Sequence, residues 1–336
     1  MSFDQHGRTI DYLRISVTDR CNLRCLYCMP EEGVPSKSHD SMLSLEEIAS
    51  FARIAAGEGF KRIRLTGGEP LVRLGIEELV TKLRAIPGVE SIAMTTNGIL
   101  LPKMAKKLKE AGLSRVNISL DTLDPDQYHH ITRWGNIKEV HRGIDTALEL
   151  GFRPVKINVV VVRSLDQDLL AFVRMSLDRP LHVRFIEYMP VGGSLGNEGL
   201  GWTKEDTIPN EELIALINQK TQEGGLGALE PLSQQSETPT GWGPARYYQL
   251  KGAKGTVGFI SALSRHFCSE CNRMRLTVDG QLLPCLFSNT SYDVKAALRS
   301  QDLDAVGQVL RKALASKPSE HHHKVGTEHY MSQIGG

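Results

Sequence analysis

The stretch DYLRISVTDRCNLRCLYCMP, residues 11–30, joins two signals. Leu13, Ile15 and Val17 alternate with Arg14, Ser16 and Thr18, the period of a β-strand with one apolar and one polar face. Directly after this strand, Cys21, Cys25 and Cys28 stand at C-x3-C-x2-C spacing. Whatever recurs after the strand decides the fold, and whatever three thiols require decides the chemistry.

The chain has six cysteines in all. Cys268, Cys271 and Cys285 form a second triplet, and none of the 239 residues between Cys28 and Cys268 is cysteine. Six small buried hydrophobes would be scattered rather than grouped. The opening segment SFDQHGRT is polar and no apolar run approaches the roughly 18 residues of a membrane span, so the chain is expected to be cytoplasmic, with no membrane association. Thiols there are kept reduced, which favours metal binding or catalysis over disulfides. Structural zinc is normally closed by four protein ligands, and each triplet supplies three. A [4Fe–4S] cluster on three thiolates keeps one iron open for a further ligand.

Outward from the first strand the pattern repeats. Further strands are expected at 61–66, 90–96, 114–120, 155–162 and 182–188, with helices at 44–56, 76–86, 101–111, 137–150 and 166–177. Ser44 and Glu47 make a capping box at the start of the first helix. Six βα units imply a parallel sheet, either open or curled. A sheet covered on both faces reads as continuous apolar runs, yet Arg14, Arg64, Asn117, Lys156 and Asn158 share one polar face. The expectation is therefore α/β, an incomplete (β/α)6 TIM-like barrel around a wet cationic cavity; a polar face left in solvent is the alternative. The cysteine loop, TGGEP (66–70), TTNG (95–98), SLD (119–121) and EYMP (187–190) all follow strands, at the carboxyl ends where α/β barrels place their chemistry. Gly67 and Gly68 are expected to permit close backbone approach to a ligand.

CNLRCLYCMP after one strand and TGGEP after the next resemble the radical S-adenosylmethionine (SAM) superfamily. RISVTDRCNLRCLYCMPEEG (14–33), IRLTGGEPLVR (63–73), RFIEYMP (184–190), FCSECNRMRLTVDGQLLPCLF (267–287) and the terminal Gly335-Gly336 resemble, within it, the GTP 3′,8-cyclase family of molybdenum cofactor biosynthesis. The resemblance is weakest over about 192–250. It implies a radical SAM barrel over 1–190 and a C-terminal domain over 191–336 that carries an auxiliary cluster. It further implies two [4Fe–4S] clusters, on Cys21, Cys25 and Cys28 and on Cys268, Cys271 and Cys285, the open iron of the first chelating SAM and that of the second binding guanine. Tyr27, Gly68, Ser119 and Met189 would contact SAM. Arg14, Arg64, Thr95, Lys156, Arg273, Met274 and Arg275 would contact GTP, and Gly335 and Gly336 would reach into the active site. A 5′-deoxyadenosyl radical would take the ribose C3′ hydrogen and start cyclisation to 3′,8-cyclo-7,8-dihydro-GTP. The implied partners are GTP, SAM, a reducing electron donor and a downstream pterin-forming enzyme.

Other features agree or stay open. A net charge of +1 excludes the basic excess of a nucleic-acid binder, so positive charge for a triphosphate must be local. There is no G-x-x-x-x-G-K-[ST] loop, so phosphates would be held by Arg and Lys side chains. His321, His322 and His323 are read as surface polar residues, and Trp202 and Trp242 as loop packing rather than ligand stacking. A peptide-modifying enzyme of the same superfamily is the alternative function, and a zinc-stabilised binding protein the alternative class. Oligomeric state, including a homodimer, is left open.

Overall fold

The computed structural model describes residues 2–35, 37–189, 202–232, 243–320 and 331–334. The six expected strands form as β1 (Tyr12–Ser16), β2 (Arg62–Thr66), β3 (Ser91–Thr96), β4 (Arg115–Ser119), β5 (Val155–Val161) and β6 (Leu181–Glu187). They pair in chain order, all parallel. The five expected helices form as α1 (Leu45–Gly57), α2 (Ile76–Arg84), α3 (Leu101–Ala111), α5 (Ile137–Glu149) and α6 (Leu169–Asp178), and a further one, α4 (Pro125–Thr132), precedes α5. α1 begins at the Ser44–Glu47 capping box and buries Ile48, Phe51, Ala52 and Ala55 against the sheet. Burial of each large side chain in this layer stabilises by about 1.5–3 kcal/mol.

The sheet does not stop at residue 190. β9 (Thr256–Ile260) pairs parallel to β6, and β10 (Arg273–Leu276) pairs parallel to β1. Antiparallel strands extend each edge: β8 (Arg246–Gln249) and β7 (Glu230–Pro231) beyond β9, β11 (Gln281–Leu283) and β12 (Tyr292–Asp293) beyond β10. The order β12-β11-β10-β1-β2-β3-β4-β5-β6-β9-β8-β7 is linear, so the barrel is incomplete. One sheet thus runs through both expected domains.

These C-terminal strands put the cysteine triplets at opposite ends of the barrel. Cys21 to Cys28 follow β1, at the carboxyl end of the parallel strands. Cys268 and Cys271 precede β10, which runs parallel to β1, and Cys285 follows β11, which runs antiparallel to β10. All three of the second triplet therefore lie towards the amino end.

Tight packing fixes the turns at the carboxyl end. A Cβ on Gly143 of α5 would stand 2.3 Å from the Gly98 carbonyl oxygen, at the end of the TTNG turn. Gly143→Ala should therefore push α5 off that turn. The expected loss is about 1–3 kcal/mol, seen as a lower urea midpoint with an unchanged m-value.

Candidate active site

The inner face of the barrel lines one cavity with two lobes, of about 1160 Å³ and about 1070 Å³ measured out to the open mouth. Thr95, Asn158, Ile186, Met189 and Met331 line both, so the lobes meet there.

The carboxyl-end lobe is lined by Cys21, Cys25 and Cys28, with Tyr27, Gly68 and Ser119 beside them. Its described lining residues include three carboxylates, Glu69, Asp121 and Glu187, and no Lys, Arg or His. Glu69 accepts from the Leu71 backbone N–H (3.0 Å), the Thr96 hydroxyl (2.7 Å) and the Asn97 backbone N–H (2.7 Å). The Asn97 side chain in turn donates to Asn22 Oδ1 (2.7 Å), next to Cys21. Burial pushes the Glu69 carboxyl up to about 7 against those hydrogen bonds. Tyr27 donates to Asp121 (2.6 Å), which also accepts from the Val160 N–H (2.8 Å), and burial lifts Asp121 to about 6.

Gly67 and Gly68 line this lobe and also pack closely against backbone. A Cβ on Gly67 would stand 2.5 Å from the Thr18 carbonyl oxygen, and one on Gly68 2.3 Å from that of Arg20. One close approach made at these glycines is thus to the lead-in of the cysteine loop. Gly68 donates to Thr18 (2.8 Å) and Glu69 to Arg20 (2.8 Å) through their backbone N–H groups.

The thiols suit a cluster. All six cysteines are free. Burial first, then Glu69, pushes Cys21 up to about 11; burial, then Cys21 and Asp121, pushes Cys28 up to about 12. Cys25 rises too, from burial and its two neighbours. Three thiolates need positive charge here, which bound iron would supply. Among the described residues no group of three or more His, Cys, Asp or Glu converges on a point where it could hold a single ion.

The amino-end lobe has the opposite charge. Its described lining residues include Arg14, Arg64, Arg184, Arg273, Arg275 and Lys317, with no carboxylate. Strand register explains the row: Arg275 lies opposite Arg14, and Arg14 opposite Arg64. The Arg64 guanidinium lies 5.6 Å from the Tyr12 ring and donates to Thr95 (3.3 Å). With the Asn117 carboxamide oxygen turned towards the cations, it accepts from Arg64 and from Arg184 (2.7 Å). Burial, then Arg275, holds Arg14 well below the usual guanidinium range. Cys268, Cys271 and Cys285 line the same lobe. Burial would raise the Cys271 thiol, but Lys317 and Arg273 outweigh it and bring it to about 7.

Two of the expected ligand residues stand off this wall. Lys156 shares the polar face but is buried beneath Tyr247, its ammonium 5.4 Å from that ring, and is not among the lining residues. Met274, between Arg273 and Arg275 in sequence, is buried in the hydrophobic core and is not among the lining residues. Gly335, Gly336, Pro190, Trp242 and His321 to His323 lie outside the described residues. The described chain resumes at α10 (Met331–Ile334), after α7 (Asn210–Glu223), α8 (Lys295–Arg299) and α9 (Leu303–Ala315). Ile334 is buried beside Leu283, and its carbonyl accepts from Arg275 (3.3 Å). Trp202 packs as expected, stacked on Tyr27 at 5.8 Å and edge-on to Tyr188.

Sequence reasoning missed Arg184, although it shares the β5–β6 polar face with Asn158, to which it donates (3.0 Å). It also missed a brace on the cysteine loop after α4. Trp134 donates to the Asn22 carbonyl (2.9 Å), Arg133 to that of Arg24 (2.7 Å), and Arg24 to that of Cys21 (2.7 Å). Asp124-Pro125, an N-cap followed by proline, was the available signal for α4.

Cationic crowding extends to His182, which pairs with Thr256 (2.8 Å). Burial, then Lys156 and Arg184, takes it from 6.5 down to about 3. The unfolded chain therefore binds a proton that the folded chain refuses. Its contribution to stability is present above pH 6.5 and is lost as pH falls from there towards about 3. His182→Gln should flatten that part of the acid limb in urea unfolding measured against pH.

Comparison with known proteins agrees with this geometry. The family model "Radical SAM superfamily" matches residues 15–175, and "Molybdenum Cofactor Synthesis C" matches 181–323. The GTP 3′,8-cyclase of Pelotomaculum thermopropionicum is 51% identical over 337 aligned residues and that of Moorella thermoacetica 49%, each alignment covering 99% of both chains. Among solved structures, Streptococcus suis SuiB bound to S-adenosylmethionine matches with TM-score 0.56 at 18% identity, over 90% of this chain and 67% of that one. His6-tagged anSMEcpe with bound AdoMet matches with TM-score 0.56 at 15% identity, over 94% and 79%. These two share the fold. With near-complete alignment at about half identity to the cyclases, the chain belongs to the radical SAM superfamily and, within it, to the GTP 3′,8-cyclase family.

Proposed function

We propose that this chain converts GTP to 3′,8-cyclo-7,8-dihydro-GTP for molybdenum cofactor synthesis, with SAM in the carboxylate-lined lobe, GTP in the arginine-lined lobe and a [4Fe–4S] cluster on each cysteine triplet. The carrying observation is the division of charge within one cavity. SAM brings a sulfonium and an ammonium, which Glu69 and Asp121 favour; GTP brings a triphosphate, which five arginines favour. A lobe without a carboxylate among its described lining residues suits a nucleotide better than a peptide.

Bound there, the amino-terminal cluster and SAM would supply a 5′-deoxyadenosyl radical that takes the ribose C3′ hydrogen, after which C3′ bonds to guanine C8 and reduction gives the product. The chain's own residues do the positioning. Tyr27 is held by Asp121 against the lobe, and Ser119 lies near it on the wall. Arg14, Arg64, Arg273 and Arg275 clamp phosphates, with Thr95 at the seam where SAM and ribose meet. Met189, Ile186 and Met331 supply the apolar part of that seam, beside Thr95 and Asn158, and limit water there. Cys268, Cys271 and Cys285 would hold the second cluster in the same lobe, which would supply a site for the guanine. A reducing electron donor and a pterin-forming enzyme would act before and after this step.

Anaerobically reconstituted protein should hold about eight irons per chain, four per cluster. Cys25→Ala should lose about half of them together with SAM cleavage. Cys285→Ala should lose about half while retaining SAM binding and weakening GTP binding. Stoichiometric zinc without iron–sulfur absorbance would contradict the proposal.

Gly335 and Gly336 would complete the site. Deleting both should leave iron content and SAM binding unchanged. Single-turnover cyclisation should nonetheless fall on the order of 100-fold, because a misplacement of about 1 Å between reacting atoms has that effect. Unaltered turnover would remove the tail from the mechanism.

A further inference from the structure

Lys317, just beyond α9, is only 2% exposed and forms no ion pair with a carboxylate among the described residues. Its ammonium donates to the Pro284 carbonyl (2.7 Å), the Arg273 carbonyl (2.8 Å) and Cys271 Sγ (3.6 Å). An ammonium has three donors, and all three are used. Two neutral carbonyls would be served as well by a neutral donor, whereas a buried charge needs an opposite charge to offset its desolvation. Within this lobe the described residues offer only the cysteine sulfurs.

The acceptors lie on the segments that carry two of the ligands: Arg273 follows Cys271 by two residues, and Pro284 precedes Cys285. Arg8 ties the same corner from the other terminus. It donates to the Cys268 carbonyl (2.6 Å) and the Pro318 carbonyl (2.6 Å), and its remaining guanidinium face is held by Asp4 at 2.6 Å.

We infer that Lys317 is a positioning residue and counter-ion for the carboxyl-terminal cluster: its ammonium fixes Cys271 relative to Cys285 and stabilises the cluster's reduced state. This rests on the two-cluster reading above. Reduction adds a negative charge beside the buried Lys317 ammonium, and a fixed cation at hydrogen-bond distance from one ligand sulfur favours that state.

The test isolates the second cluster by using Cys25→Ala as the parent and reads its midpoint potential by EPR-monitored redox titration. Replacement of Lys317 by Met or Gln removes the charge, and Gln keeps N–H donors for the carbonyls; Lys317→Arg keeps the charge. Met and Gln should each disfavour the reduced state by about tenfold, about 59 mV for a one-electron couple, and Arg should restore it. Loss of the cluster in Met and Gln with retention in Arg would equally support the inference. A potential unchanged in Met and Gln, or equal loss of the cluster in all three variants, would overturn it. Fewer than about four irons in the Cys25→Ala parent would instead overturn the two-cluster reading.

Discussion

Arg275, Arg14 and Arg64 stand side by side on three neighbouring strands, and the described residues that line their lobe include no carboxylate. Inward-facing like charges on a parallel sheet are tolerable only where the interior stays wet and an anion can enter. The linear strand order meets that condition, since a closed eight-stranded barrel would fill its interior with side chains. Neutral groups moderate the crowding: Asn117 accepts from two of the guanidiniums, and the rings of Tyr12 and Tyr247 lie beside Arg64 and Lys156. A polyanion that binds such a wall stabilises the folded chain by mass action.

The other end of the cavity is organised by acceptors. Glu69 gathers three donors from the ends of β2 and β3, and Asn97 passes the connection on to Asn22. Glu187 does the same at β6, accepting from the backbone N–H groups of Asn210, Leu263 and Ser264. The cysteine loop itself has little regular structure. Its geometry is imposed from outside, by the β2 turn beneath it and by Arg133 and Trp134 beside it.

Much of this was legible because strand alternation is a local property. Arg14 and Arg64 face inward for the same reason that Leu13 and Ile63 face the helices, and six residues of sequence suffice to show it. What was hidden is non-local. β9 and β10 are short and closely spaced, and nothing in VGFI or RMRL announces that one joins β6 and the other β1. Lys156 was assigned correctly to the polar face, but the ring that covers it comes from Tyr247, on a strand the sequence did not reveal. Gly67 and Gly68 were recognised as a place of close approach, while the identity of the approaching group, the backbone of Thr18 to Arg20, required the fold. Arg8 and Lys317, more than 300 residues apart, carried no shared pattern at all.

β1 is hydrogen-bonded on one side to β2 and on the other to β10, the one formed within the first 66 residues and the other only after residue 272. During synthesis the first strand therefore presents an open edge for most of the time the ribosome takes to make the chain, the condition under which strands pair with the wrong neighbour. The carboxyl-terminal cysteines emerge on the very segment that closes that edge. A cluster on them, as proposed, would have to be delivered after translation of nearly the whole polypeptide, whereas the amino-terminal thiols are outside the ribosome long before. On the proposed two-cluster reading, scarcity of iron or sulfide late in maturation would leave a population with its first triplet loaded and its second empty.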